Sequence, residues 1–154
     1  MKMDINDICA ALTGFTGGRT VFAPDGDGIV HAGIDGTVSL SLAERNGTLV
    51  IWAEIGTLPE DEGEANKVMK LLLDANFMGQ GTDGGTMSLL DKQIIHYHKT
   101  VSLEGLDPDG FHEELEVFLG ASLQWRHALL ESPSDEVDDF QPGLNENLSG
   151  FLRV

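Results

Sequence analysis

The spacing of hydrophobic positions changes along this chain, and each change marks a new kind of element. Residues 4–12 carry apolar side chains three or four positions apart, which predicts a first helix with Asp4 as its N-cap and Gly14 as its stop. Apolar and polar residues then alternate, and turn signals such as Asp35-Gly36 interrupt the alternation. This half of the chain therefore predicts a helix followed by three antiparallel strands.

The dipeptide Asn46-Gly47 is a strong signal for a two-residue hairpin turn, and it fixes the register of the strands on either side. One face of the hairpin is then apolar, with the pairs Leu42–Ile51, Leu40–Ala53 and Val38–Ile55. The other face is mixed, with the pairs Ser41–Trp52, Ala43–Val50 and Ser39–Glu54. Because Trp52 and Val50 lie there among polar neighbours, we expect a half-covered surface able to receive something.

The second half of the chain repeats the change from helical to strand-like spacing. A helical stripe over residues 65–73 precedes a glycine-rich segment, and we expect Asn76 to end that helix in a left-handed conformation. A strand hairpin follows, and Asp107-Pro108 then begins a long helix of about 23 residues. The apolar face of this helix, widened by Leu119, Leu123 and Leu130, predicts burial against a sheet and against a second subunit.

These elements predict an α+β fold in the order α-β-β-β-α-β-β-α, with an antiparallel sheet flanked by helices. After Leu130 the composition changes to an acidic stretch broken by two prolines, which is typical of a linker. We therefore divide the chain into a domain over residues 1–130 and a tail over residues 131–154. Helical spacing returns near the end of the tail, at Leu144, Leu148, Phe151 and Leu152.

The net charge of −17 is the strongest feature of the composition. A field of this sign repels nucleic acid and anionic lipid, so neither is an expected partner, whereas a basic or weakly folded polypeptide is favoured. No apolar run approaches the roughly 18 residues of a membrane-spanning helix, and the acidic start of the chain is unlike a signal peptide. The single cysteine, Cys9, fits a reducing cytoplasm, where we expect a small buried hydrophobe.

Three short patterns resemble chemical motifs without the context that the chemistry needs. Residues 79–84 match G-x-G-x-x-G, but they follow a helix and open a strand, the reverse of a dinucleotide site, so we interpret them as a turn. Residues 25–28 lack the closing glutamate of a calcium loop and predict a hairpin turn. His96 and His98 share one face of a strand, but no third ligand is suggested nearby, and we expect exposed strand histidines.

No set of nucleophile, base and orienting group is visible in the sequence. We therefore expect no catalytic residue and no metal site.

Several short stretches, in their order and spacing, resemble the class I type III secretion chaperones, the Tir-chaperone or CesT family. They are residues 52–59 (WAEIGTLP), 72–79 (LLDANFMG), 81–85 (GTDGG), 103–107 (LEGLD), 118–119 (FL) and 124–126 (QWR). The resemblance covers about residues 4–130. The hairpin at Asp91-Lys92 is tighter than is usual in the family, and the tail lies outside the resemblance.

The resemblance implies a cytoplasmic homodimer without enzymatic activity or cofactor. Such chaperones bind the N-terminal segment of a secreted effector, which wraps around the dimer in largely non-globular form. A chain held extended can add a strand to an exposed sheet edge and place its apolar side chains in surface pockets.

Two sets of residues are the candidates for these contacts. The expected effector surface consists of Leu12, Phe15, Val21, Phe22, Val50 and Trp52, for which ordinary core packing is the alternative. The expected dimer interface includes Leu89, Ile95, Phe118 and Trp125. The apolar motif of the tail is either a placeholder that docks on the effector groove of its own or its mate's subunit, or a loosely packed end.

Two other functions stay open at this point. The same fold would serve as an anti-activator that sequesters a transcription or secretion regulator, and co-purification of a cytoplasmic regulator would identify it. A small-molecule module built on the glycine-rich turn would need a closed pocket with convergent polar groups.

Overall fold

The structure, a computed structural model, describes residues 2–34, 38–91 and 93–131. Its elements are α1 (Ile5–Phe15), β1 (Ile29–Ile34), β2 (Val38–Arg45), β3 (Thr48–Thr57), α2 (Glu62–Asn76), a short 3-10 helix (Phe77–Gly79), β4 (Thr86–Leu90), β5 (Ile94–Ser102) and α3 (Pro108–Glu131). The strands form one antiparallel sheet in the order β1-β2-β3-β5-β4. The predicted α+β fold and element order are confirmed. The Asp35-Gly36 turn, Lys92 of the Asp91-Lys92 hairpin and the tail beyond Glu131 lie outside the described residues.

Helix α1 begins where the sequence predicts and ends later. The Asp4 carboxylate accepts hydrogen bonds from the backbone N–H groups of Asn6 and Asp7, and the Asp7 carboxylate accepts one from the Asp4 N–H, each at 2.9 Å. Gly14 does not stop the helix, which continues to Phe15. The stop comes instead from the next glycines: Gly17 has a positive φ of 75°, which ends the helix at little cost.

The hairpin between β2 and β3 has the predicted turn and register. Asn46 and Gly47 have φ values of 51° and 78°, as a type I′ turn requires. The paired residues include Leu42–Ile51, Leu40–Ala53, Ser41–Trp52 and Ala43–Val50. The register follows from local turn chemistry alone, which explains why the sequence predicts it.

The left-handed conformation predicted for Asn76 is wrong, because its side chain has another task. Asn76 has a helical φ of −69°. Its Oδ1 accepts from the backbone N–H of Met87 at 2.7 Å, and its Nδ2 donates to the Met87 carbonyl at 2.9 Å. The positive φ falls two residues later, at Met78. Asn76 thus ties the end of α2 to β4.

The chain divides into two compact units, residues 1–53 with 98–120 and residues 54–97 with 121–154. The first has fully buried side chains from α1, β1 to β3 and α3, including Ile8, Leu12, Val30, Leu42, Ile51, Phe111, Leu115 and Phe118. The second buries Val68, Leu72, Met87, Ile95, Tyr97 and Trp125. The boundary predicted at residues 130 and 131 stays a prediction.

The G-x-G-x-x-G segment is a tightly packed turn, as predicted. A Cβ on Gly85 would overlap the ring of Tyr97, and one on Gly81 would lie 2.8 Å from the Cα of Ala75. The Tyr97 hydroxyl donates to the Thr82 carbonyl at 2.6 Å, and Trp125 Nε1 donates to the Gly81 carbonyl at 3.2 Å. Close backbone approach, rather than phosphate binding, accounts for these two glycines.

Candidate functional site: two exposed apolar surfaces

The mixed face of β1, β2 and β3 forms a shallow groove along β2. Two rows of paired residues cross the three strands, Ile29–Ala43–Val50 and His31–Ser41–Trp52. The middle strand contributes the smaller side chain in both rows. Adjacent strands lie about 4.8 Å apart, so the outer side chains of a row stand about 10 Å apart.

We name this surface the β2 groove. Ser39 and Ser41 are its floor, His31 and Trp52 are its walls, and Ala43, which is only 1% exposed, closes one end. Beyond His31 the groove opens, because a Cβ on Gly33 would meet no atom within 4 Å. The side chains of the opposite face, such as Leu42 and Ile51, are fully buried.

The ring of His31 is held in place from both sides. Its Nε2 lies 3.0 Å from Asp25 Oδ2 and its Nδ1 lies 3.2 Å from Ser41 Oγ. Asp25 Oδ1 also accepts from the backbone N–H groups of Asp27 and Ile29, each at 2.9 Å. The Ile29 bond, then the Asp27 bond and the His31 contact, lower the pKa of Asp25 below its usual value. The charged Asp25 therefore orients the ring of His31 at the side of the groove.

Asp25, His31 and Ser41 have the connectivity of a Ser-His-Asp triad, which sequence reasoning did not group. The His31 side chain is 63% exposed and lies on an open sheet face. A catalytic triad also needs donors aimed at a developing oxyanion in a site that excludes water. We interpret the three residues as a clasp between the β1 turn and β2.

Among the described residues, no strand neighbours the outer edge of β1. Strand β1 is the first strand in the sheet order. Both main-chain polar groups of Ile29 bond to Asp25, its N–H to the carboxylate and its C=O to the Asp25 N–H at 2.8 Å. Because main-chain groups alternate in direction along a strand, His31 and Gly33 direct their N–H and C=O to the same outer edge. Such an edge is a template for an added strand.

The structure brings together some of the predicted effector-surface residues and separates others. Val50 and Trp52 are half-buried on the groove face. Val21 is 86% exposed, and Phe15 is half-buried with its ring edge-on to His112. Leu12 and Phe22 are buried within the protomer. Their binding role stays a prediction, and for Leu12 core packing is what the structure displays.

A second candidate surface lies at the end of α2, in the following turn and on β4, where α2 packs against β4 and where consecutive strand residues face opposite sides of the sheet. The five large apolar side chains on it are between 38% and 71% exposed, and they are Leu73, Phe77, Met78, Leu89 and Leu90. Exposed apolar groups concentrated in this way mark interaction sites. We name this surface the α2–β4 patch.

Of the predicted dimer residues, Leu89 lies on this patch. Ile95, Phe118 and Trp125 are buried inside the protomer. Their contribution to a dimer stays a prediction, and in the protomer they are core. Sequence reasoning missed the neighbours of Leu89 on the patch; the signal was Phe77-Met78, two large apolar residues at the start of a glycine-rich turn.

Three remaining chemical features complete the picture. Burial, and second the carboxylate of Asp4, raise the pKa of the Cys9 thiol, so it is protonated at neutral pH. His96 is half-buried rather than exposed, and its Nδ1 is buried. Over residues 2–34, 38–91 and 93–131, no three His, Cys, Asp or Glu residues group as metal ligands would.

None of the helices within the described part of the chain has the length and apolarity needed to cross a membrane.

Comparison with known families identifies the family to which the chain belongs. The model of the Tir chaperone protein (CesT) family matches residues 14–126, most of the chain, and the chain belongs to that family. No curated protein sequence matches it.

Solved structures share the fold at low sequence identity. A chain of the ExsC–ExsE complex has a TM-score of 0.66 and 17% identity, over 84% of this chain and 100% of that one. A chain of the HopA1–SchA chaperone–effector complex has a TM-score of 0.59 and 18% identity, over 84% and 99%. A chain of the ExoU–SpcU complex from the type III secretion system of Pseudomonas aeruginosa has a TM-score of 0.58 and 14% identity, over 80% and 94%.

Proposed function

We propose that this member of a type III secretion chaperone family binds the N-terminal segment of a secreted effector in the cytoplasm and keeps it non-globular. Family membership supports the class of function. The HopA1–SchA structure, which shares the fold, is a chaperone–effector complex. The observation that carries the proposal is the β2 groove beside the open edge of β1.

The geometry fits an extended polypeptide. Main-chain groups of the effector pair with His31 and Gly33 at the β1 edge, and apolar side chains settle between His31 and Trp52. Each buried apolar side chain contributes about 1.5–3 kcal/mol, against the cost of ordering the segment. The net charge of −17 attracts a basic leader and repels an acidic one.

We assign the α2–β4 patch to a homodimer. A self-complementary contact between two copies covers the same patch on both. Leu73, Phe77 and Leu90 offer large exposed apolar side chains of the kind that homodimer interfaces bury.

In the proposed function, the protein makes and breaks no covalent bond. Holding an effector unfolded requires a surface that binds it and a sheet edge that pairs with it, and we assign both to strands β1–β3. It requires no catalytic group. A serine-reactive fluorophosphonate should therefore leave Ser41 unlabelled, despite its contact with His31. Stoichiometric labelling of Ser41, measured by mass spectrometry, would contradict this part of the proposal.

A pull-down with matched variants tests the function. Wild-type protein, Trp52→Ala and the control Val117→Ala, which removes an exposed apolar side chain on α3, are tagged and expressed in the native host. We expect wild type and the control to retain a secreted protein through its N-terminal segment, and Trp52→Ala to bind that segment about 30-fold more weakly, as for an interface hot spot.

The identity of the retained protein decides between functions. A cytoplasmic regulator in place of a secreted protein would favour the anti-activator. Equal retention by Trp52→Ala and wild type would remove the β2 groove from the binding surface.

A further inference from the structure

We infer that residues 20–24, which precede β1, are a strap that pairs with the outer edge of β1 as an extra strand when no effector is bound. The inference rests on the proposal that the effector pairs with this edge. It makes the strap an internal competitor, which an arriving effector displaces.

The first rung of this pairing is present in the structure. The N–H of Asp25 donates to the C=O of Ile29 at 2.8 Å, and the Asp25 carboxylate accepts from the Ile29 N–H at 2.9 Å. Gly28 has a positive φ of 78°, and its N–H donates to the Asp25 C=O at 3.0 Å, which closes the turn between them. Residues 25–29 therefore form a hairpin turn that brings the end of the strap to the outer edge of β1.

The register of the pairing follows from this rung. Stepping two and then four residues along each strand places Ala23 opposite His31 and Val21 opposite Gly33. Main-chain groups alternate in direction along a strand, so these two pairs repeat the exchange of N–H and C=O made at the first rung. The strap thereby uses the same main-chain groups of His31 and Gly33 that an effector strand would need.

Burial along the strap agrees with this register. Directly opposite residues share a face of the sheet. Phe22 is placed opposite Ala32, and the two are 9% and 4% exposed. The residues on either side of Phe22 are exposed, as are the β1 residues that they would face. The buried Phe22 therefore already anchors the middle of the strap on the correct side.

The position of Pro24 suits an edge strand. In this register its main-chain nitrogen points away from β1, which is the side where proline is tolerated in a sheet. It therefore removes no hydrogen bond of the pairing. It also leaves the new outer edge short of one N–H donor, a device that discourages the addition of a further strand. The strap can cover the β1 edge without offering an equally good edge in its place.

The chain between α1 and the strap allows it to move. Gly17 and Gly18 have positive φ values of 75° and 74°, and a Cβ on either would meet no atom within 4 Å. Displacing the strap therefore disturbs no packing at these two glycines. If the strap is paired in about nine molecules of ten, the apparent affinity of a competing strand falls about tenfold, because only the open fraction binds.

Two variants at Ala23 separate the paired and open states. Ala23→Pro removes the N–H that faces His31 and puts a ring in its place, so the pairing cannot form. The matched control Ala23→Ser keeps that N–H at the same exposed site. An unchanged NMR shift of the Asp27 amide proton, which is bonded to Asp25, would show that the turn is intact in both.

Amide hydrogen exchange in the full-length protein without effector tests the pairing directly. The amide protons of His31 and Gly33 should exchange about tenfold faster in Ala23→Pro than in wild type, because the strap no longer covers them. Ala23→Ser should match wild type. Equal exchange at both amides in all three proteins would overturn the inference.

A disulfide trap gives the second readout. In the paired state the Cα atoms of residues 21 and 33 are about 5.5 Å apart, within the range of a disulfide. Val21→Cys/Gly33→Cys should therefore form a disulfide under mild oxidation at least about tenfold faster than the control Thr20→Cys/Gly33→Cys, whose thiols would lie on opposite faces. Cys9 is buried and common to both. Equal rates would contradict the register.

The two proposals fail separately. If exchange and disulfide formation behave as expected but the pull-down recovers no secreted protein, the effector function fails and the strap pairing stands. If a secreted protein is recovered and exchange is equal in all three proteins, the strap inference fails alone. The N-terminal peptide of the recovered protein should bind Ala23→Pro about tenfold more tightly than wild type. Equal affinity would overturn the competition between strap and effector.

Discussion

The β2 groove and the α2–β4 patch both expose apolar side chains, but they are built differently. The groove is lined by rings and small polar residues, and His31 is hydrogen-bonded to the Asp25 carboxylate and the Ser41 hydroxyl. The patch consists of large apolar side chains from a helix end, a turn and a strand. This difference is the reason for proposing an extended chain of variable sequence as the partner of the groove and a second copy of the protein as the partner of the patch.

The two outer strands of the sheet, β1 and β4, differ in whether their outward main-chain groups are already hydrogen-bonded. At β4, the amide of Asn76 already satisfies the N–H and C=O of Met87. At β1, the groups of His31 and Gly33 point to the outer edge. The two edges therefore differ in their free main-chain groups: the proposed strand addition uses those of β1, whereas the N–H and C=O of Met87 on β4 are already engaged.

The largest effect should come from charge in the patch. Phe77→Asp/Leu90→Asp would place carboxylates in a desolvated interface, and we expect dimer dissociation to increase at least about 100-fold. Analytical ultracentrifugation measures it. The control Val117→Asp carries a charge at an exposed apolar site on α3, outside the patch.

Both side chains of the double variant are exposed, so the fold should persist with an unchanged circular dichroism spectrum. A dimer as tight as wild type would break the assignment of the patch. Loss of effector binding by a variant that still dimerises would reverse the roles of the two surfaces.

An intermediate effect should come from the β1 edge. Gly33→Pro removes a main-chain N–H at the outer edge, a site where proline is tolerated. Losing this hydrogen bond should lower the affinity for the effector segment about tenfold, which isothermal titration calorimetry measures.

Gly33→Ala is the matched control, because its Cβ meets no atom within 4 Å and its N–H is kept. The alanine variant should bind as wild type does. Equal affinity of the proline variant would mean that the effector does not pair with β1.

The smallest effect concerns the clasp on His31. Since the folded-state pKa of Asp25 is lowered, its stabilisation is present above the ordinary carboxyl pKa of 3.8 and is lost as the pH falls through the lower folded-state pKa. NMR shifts of the Ile29 and Asp27 amide protons should titrate with a midpoint below 3.8. In Asp25→Asn this titration should vanish. A midpoint at or above 3.8 would show that the carboxylate does not hold the clasp.

The sequence predicts features that depend on nearby residues. The Asp4 cap and the Asn46-Gly47 register are examples, because each is decided within a few positions. Features that depend on distant residues were missed. The side chain of Asn76 is committed to Met87, eleven positions away, and no helix-end rule contains that partner.

Burial was harder to predict than secondary structure. Leucine and tryptophan are common both at binding surfaces and in protein cores. Only tertiary packing places Leu12 and Trp125 inside. Part of the clasp formed by Asp25, His31 and Ser41 could be predicted from the sequence. Once β1 and β2 are paired, His31 and Ser41 are neighbours, but the contribution of Asp25 depends on how the preceding turn folds.

The hydrogen bonds of Asn76 have a further consequence. Amyloid-like stacking requires every molecule to offer two receptive margins, one to capture a neighbour and one to be captured. Since the N–H and C=O of Met87 are already hydrogen-bonded to Asn76, a strand from another molecule cannot pair with β4 at this residue. The β4 edge is therefore less able to template a further strand, which lowers the tendency of copies of this protein to stack edge to edge.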